Sequence, residues 1–257
     1  MNKRQCKILA LAQHKGGVGK TTSTINIGAA LAAKGYKVLL VDLDAQANLT
    51  ESLGLRPGTA GIVEALSTED PVIGVLVATV GRLDVISSSL DLAGVEVQLL
   101  NSVGREYKLK EFIDRQRKHY DYILIDCPPS LGLLTVNALT AADEVYIPLQ
   151  AQYLAVKGLK SLLDIIALIR KQLNKKLKIG GVFITQYDGR KVLNRDTGES
   201  MADLFKDEVM KTKIRDNVAL AEAPAAGKDI FSYAPNSNGA ADYMALATEI
   251  VKRHKVK

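Results

Sequence analysis

Apolar runs of strand length recur along the chain at residues 8–12, 38–41, 83–86, 122–125, 144–148 and 179–184, and most intervening stretches space their apolar residues at helical period. Runs rich in Val, Ile and Leu with no polar alternation suit strands covered on both faces, so the pattern predicts βαβ units. The expected fold class is α/β, a doubly wound, mostly parallel sheet with helices on both faces and ligands at the carboxyl ends of its strands. Helices are predicted over 20–33, closed by Gly35, and over 105–119, 131–141, 156–173 and 239–253. In the last of these Tyr243, Leu246, Ala247, Ile250 and Val251 fall on one stripe, which reads as a core face rather than a membrane face. Residues 56–81 and 188–207 follow neither period. With no internal repeat and no low-complexity linker, one domain over 1–257 is expected.

Composition narrows the class. A chain of 257 residues with 47% apolar content buries a core without disulfide or metal staples, which excludes the disordered and collagen-like classes. Cys6 and Cys127 have neither CxxC spacing nor histidine partners, so a reducing, cytoplasmic setting is expected. The apolar run after the basic start is shorter than a signal-peptide core, and no stretch nears the roughly twenty apolar residues of a membrane span. The net charge of +6 permits contact with a polyanion. Lys252, Arg253, Lys255 and Lys257 crowd the C-terminus, where they either complement a helix dipole or meet a partner.

Three motifs carry chemistry. After the first strand comes His14-Lys15-Gly16-Gly17-Val18-Gly19-Lys20-Thr21-Thr22, and then a helix pattern. Glycines let such a loop turn tightly and aim backbone N–H groups at phosphate oxygens, with the helix N-terminus adding positive charge. Lys20 is placed to reach the β- and γ-phosphates, Thr21 to offer its hydroxyl to Mg²⁺, and Thr22 to bond the α-phosphate. The strict phosphate-loop consensus has glycine where this chain has His14 and asks for no lysine at 15, so this is the deviant Walker A form. The second strand ends in Asp42-Leu43-Asp44. Alternation turns both carboxylates to the same side, one for the metal's water shell and one for an attacking water, unless the pair only caps a turn. The fourth run ends in Asp126-Cys127-Pro128-Pro129, where Asp126 reads as the Walker B acid, the prolines as a stiff switch, and Cys127 as a space filler.

The sequences KGGVGKTT, VDLDAQAN and LIDCPPS, with a late Ala221-Glu222-Ala223-Pro224 and a terminal helix, resemble the ParA/Soj family of partitioning ATPases, relatives of MinD. The resemblance runs from Lys7 to about Arg253 and matches the short form without an N-terminal helix-turn-helix domain. It implies ATP and Mg²⁺ as cofactors and a homodimer in which Lys15 crosses to the partner's phosphates. It also implies that Asp44 positions the hydrolytic water, that Thr21, Asp44 and Asp126 hold Mg²⁺ partly through water, and that Gln186 and the segment from Arg215 through Val218 to Pro224 lie near the adenine. Binding to nonspecific DNA and a ParB-like centromere-binding partner complete the expectation. Ala45 and Ala47 depart from the family's proline and glycine, and Ala219 stands where relatives often carry a DNA-contacting arginine. Arg190, Lys191, Arg195, Arg215, Lys228, Lys252 and Arg253 remain as DNA candidates. A MinD-like membrane switch is the alternative. It is opposed by a terminal Lys-Arg-His-Lys-Val-Lys without bulky apolar residues. An iron–sulfur reductase is opposed by the placement of the two cysteines.

Overall fold

The computed structural model describes residues 5–58, 60–67, 75, 77–150, 159–191 and 204–255. Among the described residues seven strands form one sheet: β1 (Lys7–Leu11), β2 (Val38–Asp42), β3 (Ala78–Val80), β4 (Leu83–Ile86), β5 (Tyr122–Asp126), β6 (Glu144–Gln150) and β7 (Lys178–Thr185), in the order β3-β4-β2-β5-β1-β6-β7. All neighbours are parallel except β3, an antiparallel edge strand inside the stretch whose pattern was unreadable. Three residues are too few for a period to register.

Among the described residues the helices are α1 (Lys20–Ala33), α2 (Asn48–Ser52), α3 (Ile62–Ser67), α4 (Leu92–Leu99), α5 (Lys108–Gln116), α6 (Leu133–Ala141), α7 (Leu159–Gln172), α8 (Val218–Glu222), α9 (Ile230–Tyr233) and α10 (Asn238–Lys255). Successive residues of each central strand feed opposite cores. Ile8, Leu39 and Ile123 pack with α3 to α7, while Leu9, Leu40 and Leu124 pack with α1 and α10. This two-sided burial is why the strands read as unbroken apolar runs. Gly28 lets α1 settle onto the sheet, because a Cβ there would sit 2.7 Å from Leu40 Cδ2. The stripe Tyr243, Leu246, Ala247, Ile250 and Val251 is buried, as its spacing predicted.

Beyond β7 the chain covers what would be an open edge. Met210 N donates to Val182 O and Ile214 N to Ile184 O, each at 2.8 Å. One face of α10 holds this segment down. Asp242 pairs with Arg215 at 2.7 Å, Glu249 accepts from Lys211 N and Thr212 N, and Arg253 donates to Gly180 O and Val209 O. At the base of the sheet His254 Nε2 lies 3.0 Å from Glu144 Oε2, both buried.

Candidate functional site

The loop 12–19 leaves β1 at the carboxyl rim of the sheet and turns into α1 through two left-handed glycines, Gly17 (φ 72°) and Gly19 (φ 85°). Side chains rarely adopt that backbone region, which explains glycine at both places. Thr185, at the end of β7, secures the loop by donating to Val18 O at 2.8 Å. A Cβ built on Gly16 or Gly17 meets nothing within 4 Å, so this stretch of the loop faces open space.

The two loop lysines part company. Lys20 is buried at 7% exposure with Nζ 3.4 Å from Lys15 O, whereas Lys15 is exposed and reaches Gln150 Oε1, at the end of β6, at 3.2 Å. Gln150 Nε2 donates to Gln186 Oε1, and Gln186 Nε2 lies 3.3 Å from Gly17 O. Gln186 thus belongs to the loop's outer wall. It takes φ 51° just beyond β7 to do so.

Asp42 and Asp126 end paired strands in register, so their carboxylates lie side by side below the loop. Thr21 Oγ1 donates to Asp126 Oδ2 at 2.6 Å, and Thr24 Oγ1 shares its proton between Lys20 O (3.0 Å) and Asp126 Oδ1 (3.2 Å). Burial, with Asp42 alongside, pushes the Asp126 carboxyl up to about 8. Burial also raises Asp42 to about 6, although its hydrogen bonds from Thr50 and Asp44 N oppose the shift. Burial lowers the Lys20 ammonium, and Asp126 opposes it. Burial raises the Cys127 thiol out of any nucleophilic role, in keeping with a space filler.

The expectation that Asp42 and Asp44 act as an alternating pair meets a different geometry. Asp42 Oδ2 accepts from Thr50 N (2.9 Å) and Thr50 Oγ1 (2.7 Å), while its Oδ1 accepts from Asp44 N (3.2 Å). Asp42 therefore anchors the loop 43–47, and Asp44, past the end of β2, is the carboxylate that loop carries. Ala47 stands at φ 51°, the left-handed region that favours glycine, and it begins α2 there.

Asp126 and Asp44 thus both act on the one loop lysine, with Asp42 beside Asp126, an acidic grouping that a further cation would balance. Thr21, having given its proton to Asp126, keeps its oxygen lone pairs for a cation. The donor set is hard oxygen from hydroxyl and carboxylate, as Mg²⁺ requires. The residues present fit a Mg²⁺–nucleotide.

Beside the loop a cavity of about 150 Å³ is walled by Gly19, Thr22, Gln186, Asn217, Leu220 and Tyr243. Val218 and Pro224, expected near an adenine, are not among its walls. Val218 is 73% exposed, and Pro224 sits in the 3-10 turn Ala223–Ala226 packed toward α2. Among the cations proposed for DNA, Arg253 is committed to main-chain carbonyls and Arg215 to Asp242. Arg190 pairs with Asp188 at 2.9 Å, and Lys191 lies 4.0 Å from the same acid. Lys228 and Lys252 are exposed, and Arg195 lies outside the described residues. Thr24, Thr50, Gln150 and Thr185 complete the site. The first two stand three positions after Thr21 and eight after Asp42, offsets that only the fold gives meaning.

A glycine loop between strand and helix, with two carboxylate-tipped strands to one side of it, defines a P-loop nucleotide hydrolase of the deviant Walker A type. A family model described as an AAA domain matches residues 6–179. The chain is 47% identical to sporulation initiation inhibitor protein Soj of Bacillus subtilis, over 95% of this chain and 98% of that one. It is 41% identical to chromosome partitioning protein ParA of Caulobacter vibrioides, over 99% and 97%. The crystal structure of cobyrinic acid a,c-diamide synthase from Mycobacterium smegmatis with bound ATP analog and magnesium superposes with a TM-score of 0.84 at 36% identity, over 97% and 96%. The chain belongs to the ParA/Soj family of partitioning ATPases.

Proposed function

We propose that this chain is an ATP-timed homodimer whose ATP-bound form holds nonspecific DNA and lets go when a ParB-like centromere-binding protein stimulates hydrolysis, so that a replicon or other cargo is segregated. The observation that carries this reading is the split between the two loop lysines. Lys20 is buried against the phosphate space, while Lys15 stands at the exposed outer rim, tethered only 3.2 Å from Gln150 Oε1. A lysine so placed is positioned to meet a second subunit's nucleotide. Such a charge-assisted contact contributes about 1.5–3 kcal/mol per site and weakens once the terminal phosphate leaves. Two symmetric sites double the difference, enough to shift a monomer–dimer equilibrium by orders of magnitude.

Mg²⁺, held by Thr21 directly and by Asp126 through water, would neutralise charge on the phosphates. Lys20 would bind the terminal phosphates, the N–H groups of 16–21 would orient them, and Asp44 would hold the attacking water's proton. The loop 43–47 and the segment after Asp126 would respond to the terminal phosphate. A ligase reading, suggested by the name of the Mycobacterium smegmatis synthase, would need a substrate pocket next to that phosphate. A hollow of about 660 Å³ lined by Lys178, Lys211 and Lys252 opens at the opposite end of β7.

The test is a mobility shift on random-sequence DNA with ATP, ADP or no nucleotide. Retention is expected with ATP alone, falling steeply with salt. Retention indifferent to nucleotide would remove the switch. Lys15→Ala is expected to bind ATP and stay monomeric.

A further inference from the structure

Helix α4 is apolar on two opposite faces. Leu92, Val95 and Leu99 are buried in the core, as a helix on a sheet requires. The other face, continued by its flanks, holds Leu90 (72% exposed), Val97 (64%), Leu100 (52%) and Val103 (98%). Val97 and Leu100, three residues apart, share one side of the helix with the small Ala93, while Leu90 and Val103 lie in the turns before and after it. Large apolar side chains held in water on a helix whose opposite face already fills the core are the kind of surface that a contact covers.

Its position identifies what covers it. The helix starts where β4 ends, at the same carboxyl rim as the phosphate loop. Ser88 N, two residues before Leu90, donates to Thr50 Oγ1 at 3.0 Å, and that hydroxyl donates to Asp42. On the helix's flank Glu96 Oε1 accepts from Leu134 N at 3.3 Å, and a Cβ on Gly132 would sit 2.7 Å from it, so α4 abuts the segment that follows Asp126. Among the described residues, the exposed part of the phosphate loop is His14, Lys15, Gly16 and Gly17, polar or glycine residues without apolar bulk. A stable interface needs roughly 800 Å² from each partner and an apolar centre.

We propose that the outer face of α4 supplies the apolar part of the contact with a second copy of this chain. The proposal rests on the ATP-dimer reading and specifies its surface. Nucleotide would set the approach of the two rims, and Leu90, Val97, Leu100 and Val103 would be desolvated against the partner.

The protein provides a clean test, because Cys6 and Cys127 are both buried. Val97→Cys with a short bis-maleimide and a nonhydrolysable ATP analogue is expected to give a covalent dimer, with little product in ADP. Val97→Lys is expected to bind a fluorescent analogue within about twofold of wild type while its dimer dissociation constant rises about tenfold or more in sedimentation velocity. A wild-type chain that stays monomeric with the analogue would defeat the dimer reading and this proposal with it. A wild-type dimer with no Val97→Cys crosslink and a Val97→Lys dimer of unchanged affinity would overturn this proposal alone, leaving the face to a different protein.

Discussion

Asp126 stands at the crossing of stability and catalysis. In the nucleotide-free protein burial lifts its carboxyl from the ordinary 3.8 to about 8, so the folded chain holds this proton more tightly than the unfolded one. The sign follows by linkage. Asp126 contributes fully to stability below about pH 3.8, and the contribution is lost as pH rises through about 8, with Asp42 adding loss up to about 6. Asp126→Asn is therefore expected to flatten the fall in thermal midpoint between about pH 5 and 8 and to stabilise the nucleotide-free protein by at least ~1 kcal/mol at the upper end. Hydrolysis should be lost in the same variant, and melts stepped in pH together with phosphate release check both. Lys20→Ala should abolish nucleotide binding in a fluorescence titration. Asp44→Ala should leave binding intact and slow hydrolysis by about 10²-fold or more, trapping the ATP dimer on a sizing column.

At the scale of elements, the loop that carries Asp44 owes its position to α2, through Thr50. Thr50→Val keeps the shape but removes the donor to Asp42 and orphans Ser88 N, so a loss of about 1–3 kcal/mol is expected by urea denaturation. A larger fall in hydrolysis than in ATP affinity should accompany it. Thr50 also marks where sequence reasoning stopped. The central strands and α1 were legible because burial on both faces leaves unbroken apolar runs and because glycine spacing at 16–19 has few other uses. The edge strand β3 and the short α2, α3 and α4 were not, since a few residues give no period and their partners lie far along the chain. Asp42 and Asp44 looked equivalent by alternation, yet β2 ends at Asp42, which Thr50 holds, while Asp44 opens the turn that Ala47 N closes. The three motifs named the phosphate site, but Gln150 and Thr185 reach it only because β6 and β7 end on the same rim as β1.

For the whole molecule, the basic candidates divide by what the fold asks of them. Arg253→Ala would leave Gly180 O and Val209 O without their donor, so a loss of about 1–3 kcal/mol is expected in urea unfolding. Lys252→Ala, one residue earlier and exposed, should leave stability within about 0.5 kcal/mol. It should also lower the salt slope of ATP-dependent DNA binding by about one if it meets a phosphate. Composition alone gave these neighbours the same role. Helix α10 also spans the protein from end to end. Near its start Tyr243 OH meets Ser23 Oγ of α1 at 3.0 Å and Asp242 fastens the segment walling the 150 Å³ cavity, while its last turns grip the base of the sheet. A protease clipping the tail near residue 250 would therefore blunt nucleotide affinity from the far side of the protein, without removing one atom that a nucleotide touches.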